Sequence, residues 1–225
     1  MKLPISPRLL ACCEYIAPGS RVADVGCDHG YLAIHLLQSG KARSVIASDI
    51  KEGPLRSAME NAEKYGVREQ ISFHLSDGVK SIPRDFDTLV CAGMGGDTMI
   101  SILEAAPWLQ SENYRLILQC QSKTPMLRQY LSEKGWCIER ETVLRDGRFL
   151  YTVMAVRYSP GETLTPGQCY LSPALLLSRD EALGDYYRWV VGGLELATAH
   201  RNEPGLQDAL RELQQLPQNY PFLEE

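Results

Sequence analysis

Long apolar runs are missing from this 225-residue chain. No stretch approaches the roughly 18 consecutive apolar residues of a membrane span, which excludes an integral helical membrane protein. No C-x-x-C pair occurs among its seven cysteines, Cys12, Cys13, Cys27, Cys91, Cys120, Cys137 and Cys169. An odd count at that spacing fits neither a disulfide framework nor a zinc site, so no metal is expected. The cysteines are expected as small buried apolar residues in a reducing compartment. The opening Met1-Lys-Leu-Pro-Ile-Ser-Pro7 lacks the apolar region of a secretory signal, and the expectation is a cytoplasmic protein. Excess positive charge is absent too: 23 Lys and Arg face 28 Asp and Glu, a net charge of −5. Residues 160–225 have no Lys, and their four Arg face ten acids. Phosphate contacts need local Lys and Arg, so any nucleic-acid surface is expected on the first 159 residues.

What is present, 44% apolar and 23% charged residues, describes a globular chain of one substantial domain plus a smaller piece. Up to about Arg157, short β-branched runs alternate with amphipathic stretches. Strands are expected at 21–25, 44–49, 71–75, 88–92 and 115–119. Helices are expected over 31–37, from Pro54 to about Tyr65, and near 97–105 and 126–134. This alternation predicts βαβ units and an α/β fold with a mostly parallel, doubly wound, Rossmann-like sheet. Beyond Gly135 the pattern changes to two strands, 136–144 and 149–157, joined through Arg145-Asp146-Gly147, a strong hairpin signal. A parallel sheet closed by an antiparallel hairpin is the outline of a class I methyltransferase.

Ser159-Pro-Gly-Glu-Thr-Leu-Thr-Pro-Gly167 reads as a linker, dividing a catalytic domain, 1–158, from a helical, coiled-coil-like extension, 159–225. In the extension, the apolar spacing predicts a helix over 179–200. Asn202-Glu-Pro-Gly205 breaks the chain, and 206–216 forms a second helix of an αα-hairpin.

The strongest local signal is Val22-Ala-Asp-Val-Gly-Cys-Asp-His-Gly-Tyr31. A strand runs into Asp24, and Gly26 and Gly30 allow a tight turn and close backbone approach before a helix. The middle glycine of a dinucleotide fingerprint is replaced by Asp28, and Asp24 adds a second carboxylate. Such acids repel a pyrophosphate but suit the cationic amino-acid half of S-adenosylmethionine. Asp49 with Ile50 ends the second strand, where an acid holds ribose hydroxyls. Asp77 with Gly78 follows the third strand and is a candidate for the adenine amino group. A helix cap or loop turn is the plain alternative for each acid. A second signal, Cys91-Ala-Gly-Met-Gly-Gly96, ends the fourth strand: a wall poor in side chains, where a flat base can dock. A plain strand-to-helix turn with Met94 as a core plug is the alternative there.

The string Val22–Tyr31, the block Ala92-Gly-Met-Gly-Gly96 and Gly135-Trp136 resemble the bacterial TrmK family, whose members are tRNA adenine-22 N1-methyltransferases. The resemblance covers nearly the whole chain. It implies S-adenosylmethionine as cofactor, tRNA as partner, and a cofactor loop of Asp24, Gly26, Asp28 and Gly30. It further implies Asp49 and Asp77 on ribose and adenine, and Gly93, Met94, Gly95 and Gly96 beside the target base. The family's N-terminal Ser-x-Arg-Leu element stands here as Ser6-Pro-Arg-Leu9, making Arg8 a candidate for the cofactor carboxylate. The chain departs from the family's Gln-Pro-Asn with Gln119-Cys-Gln-Ser122. Asp28 is the candidate for stabilising charge on the methylated base, with His29 as an orienting or stacking group. Lys123, Arg128, Arg145 and Arg148, read as lying on loops or exposed turns, are candidates for phosphate contacts. Methylation of a small molecule or protein, and a non-catalytic nucleotide-binding or interaction protein, are the competing functions.

Overall fold

The computed structural model describes residues 3–201 and 203–223. Asn202, part of the expected chain break, lies outside them. The chain opens with α1 (Pro7–Glu14), β1 (Ser20–Val25), α2 (Tyr31–Gln38), β2 (Ala42–Asp49), α3 (Glu52–Lys64) and β3 (Ile71–Leu75). Next come β4 (Thr88–Gly95), α4 (Gly96–Glu104), β5 (Arg115–Ser122), α5 (Thr124–Glu133), β6 (Trp136–Asp146) and β7 (Phe149–Tyr158). The extension holds α6 (Pro166–Tyr170), α7 (Pro173–Ser178), α8 (Leu183–His200) and α9 (Pro204–Gln215). Every expected strand is present, and the expected helices are present within a few residues, except that α8 starts at Leu183, because Arg179 at φ +53 ends α7 and breaks the helix there.

The seven strands lie in the order β3-β2-β1-β4-β5-β7-β6. The first five are parallel, whereas β7 runs antiparallel to both β5 and β6. Alternation along the strands divides the core into two layers. Val22, Val90 and Ile117 face α1, α2 and α3, meeting Cys12, Leu32, Leu36 and Ala58. Ala23, Leu89, Leu116 and Leu118 face α4 and α5, meeting Met99, Ile102, Leu127 and Leu131. Burying each such large side chain contributes roughly 1.5–3 kcal/mol, so both faces of the central strands add to the core. The order reverses between β1 and β4, and the crevice outside their carboxyl ends is where open α/β sheets place ligands.

A third core belongs to the extension. Leu175, Leu183, Tyr187, Val190, Leu194, Ala209 and Leu213 gather around Val143 of β6. Thr165 opens α6 with a capping box: its hydroxyl accepts the Gln168 N–H while the Gln168 side chain accepts the Thr165 N–H. The stretch read as a linker therefore continues directly into helix. Among the described residues no helix is long and apolar enough to cross a membrane. No group of three or more His, Cys, Asp or Glu there is placed to hold a metal ion. All seven cysteines are free, six of them buried and Cys137 exposed.

Candidate active site

Asp24 is the last-but-one residue of β1, paired in register with Ala47 on one side and Val90 on the other. It is buried, and its carboxylate accepts the N–H of Ala33 in the first turn of α2. That contact caps an otherwise unpaired helix amide. The other oxygen, Oδ2, has no hydrogen-bond partner. Burial pushes the Asp24 carboxyl up to about 7, and the nearby Asp49 charge adds to the effect, against the Ala33 N–H.

The turn after β1 is held by Gly26 N and Cys27 N, which both donate to Ser48 O of β2 at 2.8 and 2.9 Å. Gly26 sits at φ +73, and a Cβ there would collide with Cε of Met94. Asp28 adopts φ +49, with its N–H donating to Asp49 Oδ2 at 3.3 Å, while Lys51 N donates to Asp49 Oδ1 at 3.0 Å. Asp49 thus ties its own loop to the glycine turn. Gly30 packs its backbone on Ala58 of α3.

These groups surround a cleft of about 620 Å³ at the switch point, ample for a cofactor-sized ligand. Asp24, Gly26, Asp28, Asp49, Ile50, Asp77, Gly78 and Arg8 all line it, as do Gly93 and Met94. The cofactor residues expected from sequence thus converge, except Gly30, which sits behind the turn. Asp77 is exposed and ion-paired to Lys80. Ser76 shapes that loop, donating to Gly78 O and accepting from Ser81 N. Arg8 comes from α1, a helix not anticipated, and its guanidinium lies 5.4 Å from the Tyr151 ring centre.

The glycine wall divides in two. Gly93, at φ +81, donates its N–H to Oε1 of the buried Gln119 at 3.1 Å, and Gly93 and Met94 face the cleft. Gly95 and Gly96 do not. Gly95 has an ordinary φ of −73 and lies against Asp97 and Ser122. At Gly96, a Cβ would stand 2.7 Å from the Lys123 carbonyl. Their small size serves the crossing of β4 onto α5. His29 is also outside the cleft: it is exposed, 3.7 Å from Asp28 Oδ1, with its carbonyl held by Asn61. Gln121, which sequence reasoning did not single out, does line the cleft. Cys91 is an inert neighbour, its thiol pushed up to about 12 by burial and by Asp24.

The expected phosphate contacts fare unevenly. Arg128 is not on an exposed turn: it is fully buried on α5, paired with Glu141 Oε1 at 2.7 Å. It also donates to the carbonyls of Cys169 and Tyr170, and its complete burial keeps it from any phosphate. Lys123 is exposed and ion-paired to Asp97 at 3.1 Å, and Arg145 pairs with Asp185 of α8. Arg148 is exposed, over the Phe149 ring.

The acidic, glycine-cradled cleft with one unpartnered buried carboxylate oxygen fits a ligand carrying a cation, and Arg8 at its rim fits that ligand's carboxylate. Residues 5–154 match the family model of a methyltransferase domain. The chain is 34% identical over 154 residues to the tRNA (adenine(22)-N(1))-methyltransferase of Bacillus subtilis, a match covering 68% of this chain and 65% of that one. It aligns with the crystal structure of the B. subtilis M1A22 tRNA methyltransferase TrmK at a TM-score of 0.79 and 26% identity, over 100% of both chains. The chain belongs to the TrmK family of methyltransferases. A Streptococcus pneumoniae protein solved in complex with S-adenosyl-L-methionine aligns at a TM-score of 0.84 and 29% identity, over 94% of this chain and 99% of that one. The fold seen here is therefore shared with a family member that holds this cofactor.

Proposed function

We propose that the protein transfers a methyl group from S-adenosylmethionine to N1 of an adenine in tRNA, with adenine 22 as the target, in the cytoplasm. The observation that carries the reading is the single cleft that joins Asp24, Asp49 and Asp77 to the Gly93–Met94 strand end. Similarity to the B. subtilis adenine-22 enzyme supplies the substrate. The cofactor contributes an electrophilic methyl on a sulfonium centre. The chain supplies orientation and charge. Oδ2 of Asp24 and the Asp28 carboxylate face the cationic amino-acid end, and Arg8 its carboxylate. Asp49 serves the ribose hydroxyls, Asp77 the adenine amino group, and exposed Ile50 an apolar face for the ring.

Adenine N1 carries a free lone pair at neutral pH, so no general base is required. What the site must do is hold N1 in line at near-attack distance, which supplies much of the barrier reduction. At Gly93 and Met94 the backbone can approach the base edge. As positive charge develops on the purine, the Asp28 carboxylate and strand-end carbonyls stabilise it. The decisive experiment incubates the protein with S-adenosylmethionine and unmodified bulk tRNA, followed by nucleoside analysis. N1-methyladenosine at position 22 is expected. Cofactor binding without any methylated tRNA nucleoside would transfer the activity to another substrate.

A further inference from the structure

A second cavity, of about 400 Å³, opens beside the cleft between the sheet and α8. Its walls carry four aromatic side chains, Tyr151, Tyr170, Tyr186 and Trp189. Trp189 is 66% exposed, although α8 buries Tyr186, Tyr187, Val190 and Leu194 around it. Its ring lies 5.7 Å from that of Tyr186, centre to centre, at 41°. Tyr186 is fixed from behind by Arg128, so the exposed indole stands on a rigid support. The two cavities adjoin. Gln121 lines both, and Arg8 of the cleft lies over Tyr151 of the second cavity. Lys123 and Arg201 line the second cavity, with Glu203 as the one acid among its described residues. Lys123 is also ion-paired to Asp97, so Arg201 is the cation that the extension brings to this cavity.

We propose that this second cavity is a nucleotide subsite that stacks an unpaired tRNA base, adjacent to the target adenine, on Trp189. An exposed aromatic platform with a cation within the same cavity is the arrangement that accepts a flat base and its phosphate. Gln121 stands between the two bases, where its carboxamide can donate to one base edge and accept from the other. The subsite deepens the tRNA reading and rests on it. It also relocates part of the RNA surface from the hairpin to the seam between sheet and extension.

The test uses the full chain with Trp189→Ala and Trp189→Phe. The Ala variant is expected to raise KM for tRNA by roughly 10- to 100-fold, the Phe variant much less. Cofactor affinity by calorimetry stays unchanged in both. In parallel, a short unstructured RNA oligonucleotide should quench the wild-type indole emission. The quench should vanish in Trp189→Phe, which keeps Trp108 and Trp136. An unchanged KM in the Ala variant overturns the subsite. Sedimentation that shows a wild-type dimer dissolved by Trp189→Ala, with KM unchanged, assigns the face to a second copy instead. Should wild-type protein bind cofactor yet methylate no tRNA, the substrate reading fails. The quench then decides separately, its absence overturning the subsite.

Discussion

Two buried ionisable sites in this molecule are treated in opposite ways. At the seam between sheet and extension, Arg128 and Glu141 are both shielded from water and both fully occupied. Glu141 takes the guanidinium and the Ser172 hydroxyl, while Arg128 also donates to two carbonyls of α6. At the cleft, Asp24 is also buried, yet one of its oxygens has no partner and the charge acting on it is another acid, Asp49. The first arrangement offsets its desolvation internally and therefore locks two regions together. The second leaves that cost unmet until a cation arrives, which is how a binding site retains affinity to give away.

Four experiments bear on this contrast. Deleting residues 159–225 should have the largest effect. It strips the Val143 face of β6 and the Cys169, Tyr170 and Ser172 partners of the Arg128–Glu141 pair, a loss expected to exceed the roughly 5 kcal/mol that holds a marginal domain folded. Solubility and cooperative melting of residues 1–158 report it, and a melt close to that of the full chain would make that part an autonomous domain. Arg128→Ala strands Glu141 in the seam and should cost about 3–5 kcal/mol of stability by denaturant titration. Glu141→Gln in the same background should recover part of the loss.

For Asp24 the signs run in opposite directions. Its folded pKa lies above the ordinary 3.8, at about 7, so the folded state holds the proton through that window. Stability without ligand should fall as pH rises from about 4 to above 7, by on the order of 4 kcal/mol. Cofactor affinity should instead strengthen as pH rises through about 7, because the bound cation favours the carboxylate. Asp24→Asn should flatten both profiles, by thermal melts and calorimetry respectively. The smallest effect belongs to Asp49→Ala, which should weaken cofactor binding by about 1.5–3 kcal/mol while the fold persists. Wild-type affinity would remove Asp49 from the cofactor site.

The strands were legible because runs such as Val45–Ala47 and Leu116–Leu118 are apolar on both faces, a pattern few other elements produce. The acids at strand ends were legible because a Rossmann-like topology puts them on one edge. What escaped was written in weaker local signals. Ser6-Pro7 and Ser172-Pro173 are N-cap and first-turn pairs that open helices not expected from sequence, and the Pro-Gly of the Thr165–Gln168 capping box was read as part of a linker. Arg128 was misplaced because its partner, Glu141, lies on another element, and no helical spacing reveals that. Within the glycine wall the positive φ falls at Gly93: the register of β4 against β5 shifts around Met94, a bulge that alternation of residue types does not show.

The strand order has a consequence for synthesis. Because β7 is inserted between β5 and β6, the penultimate strand to emerge cannot dock where the last one belongs. Until Tyr158 has left the ribosome, β5 presents an unpaired edge of apolar residues, a template for pairing with other nascent chains. β6 and β7 must first zip into a hairpin and then add as a unit. The tight Asp146–Phe149 turn, far from any chemistry, therefore governs how long that edge stays open.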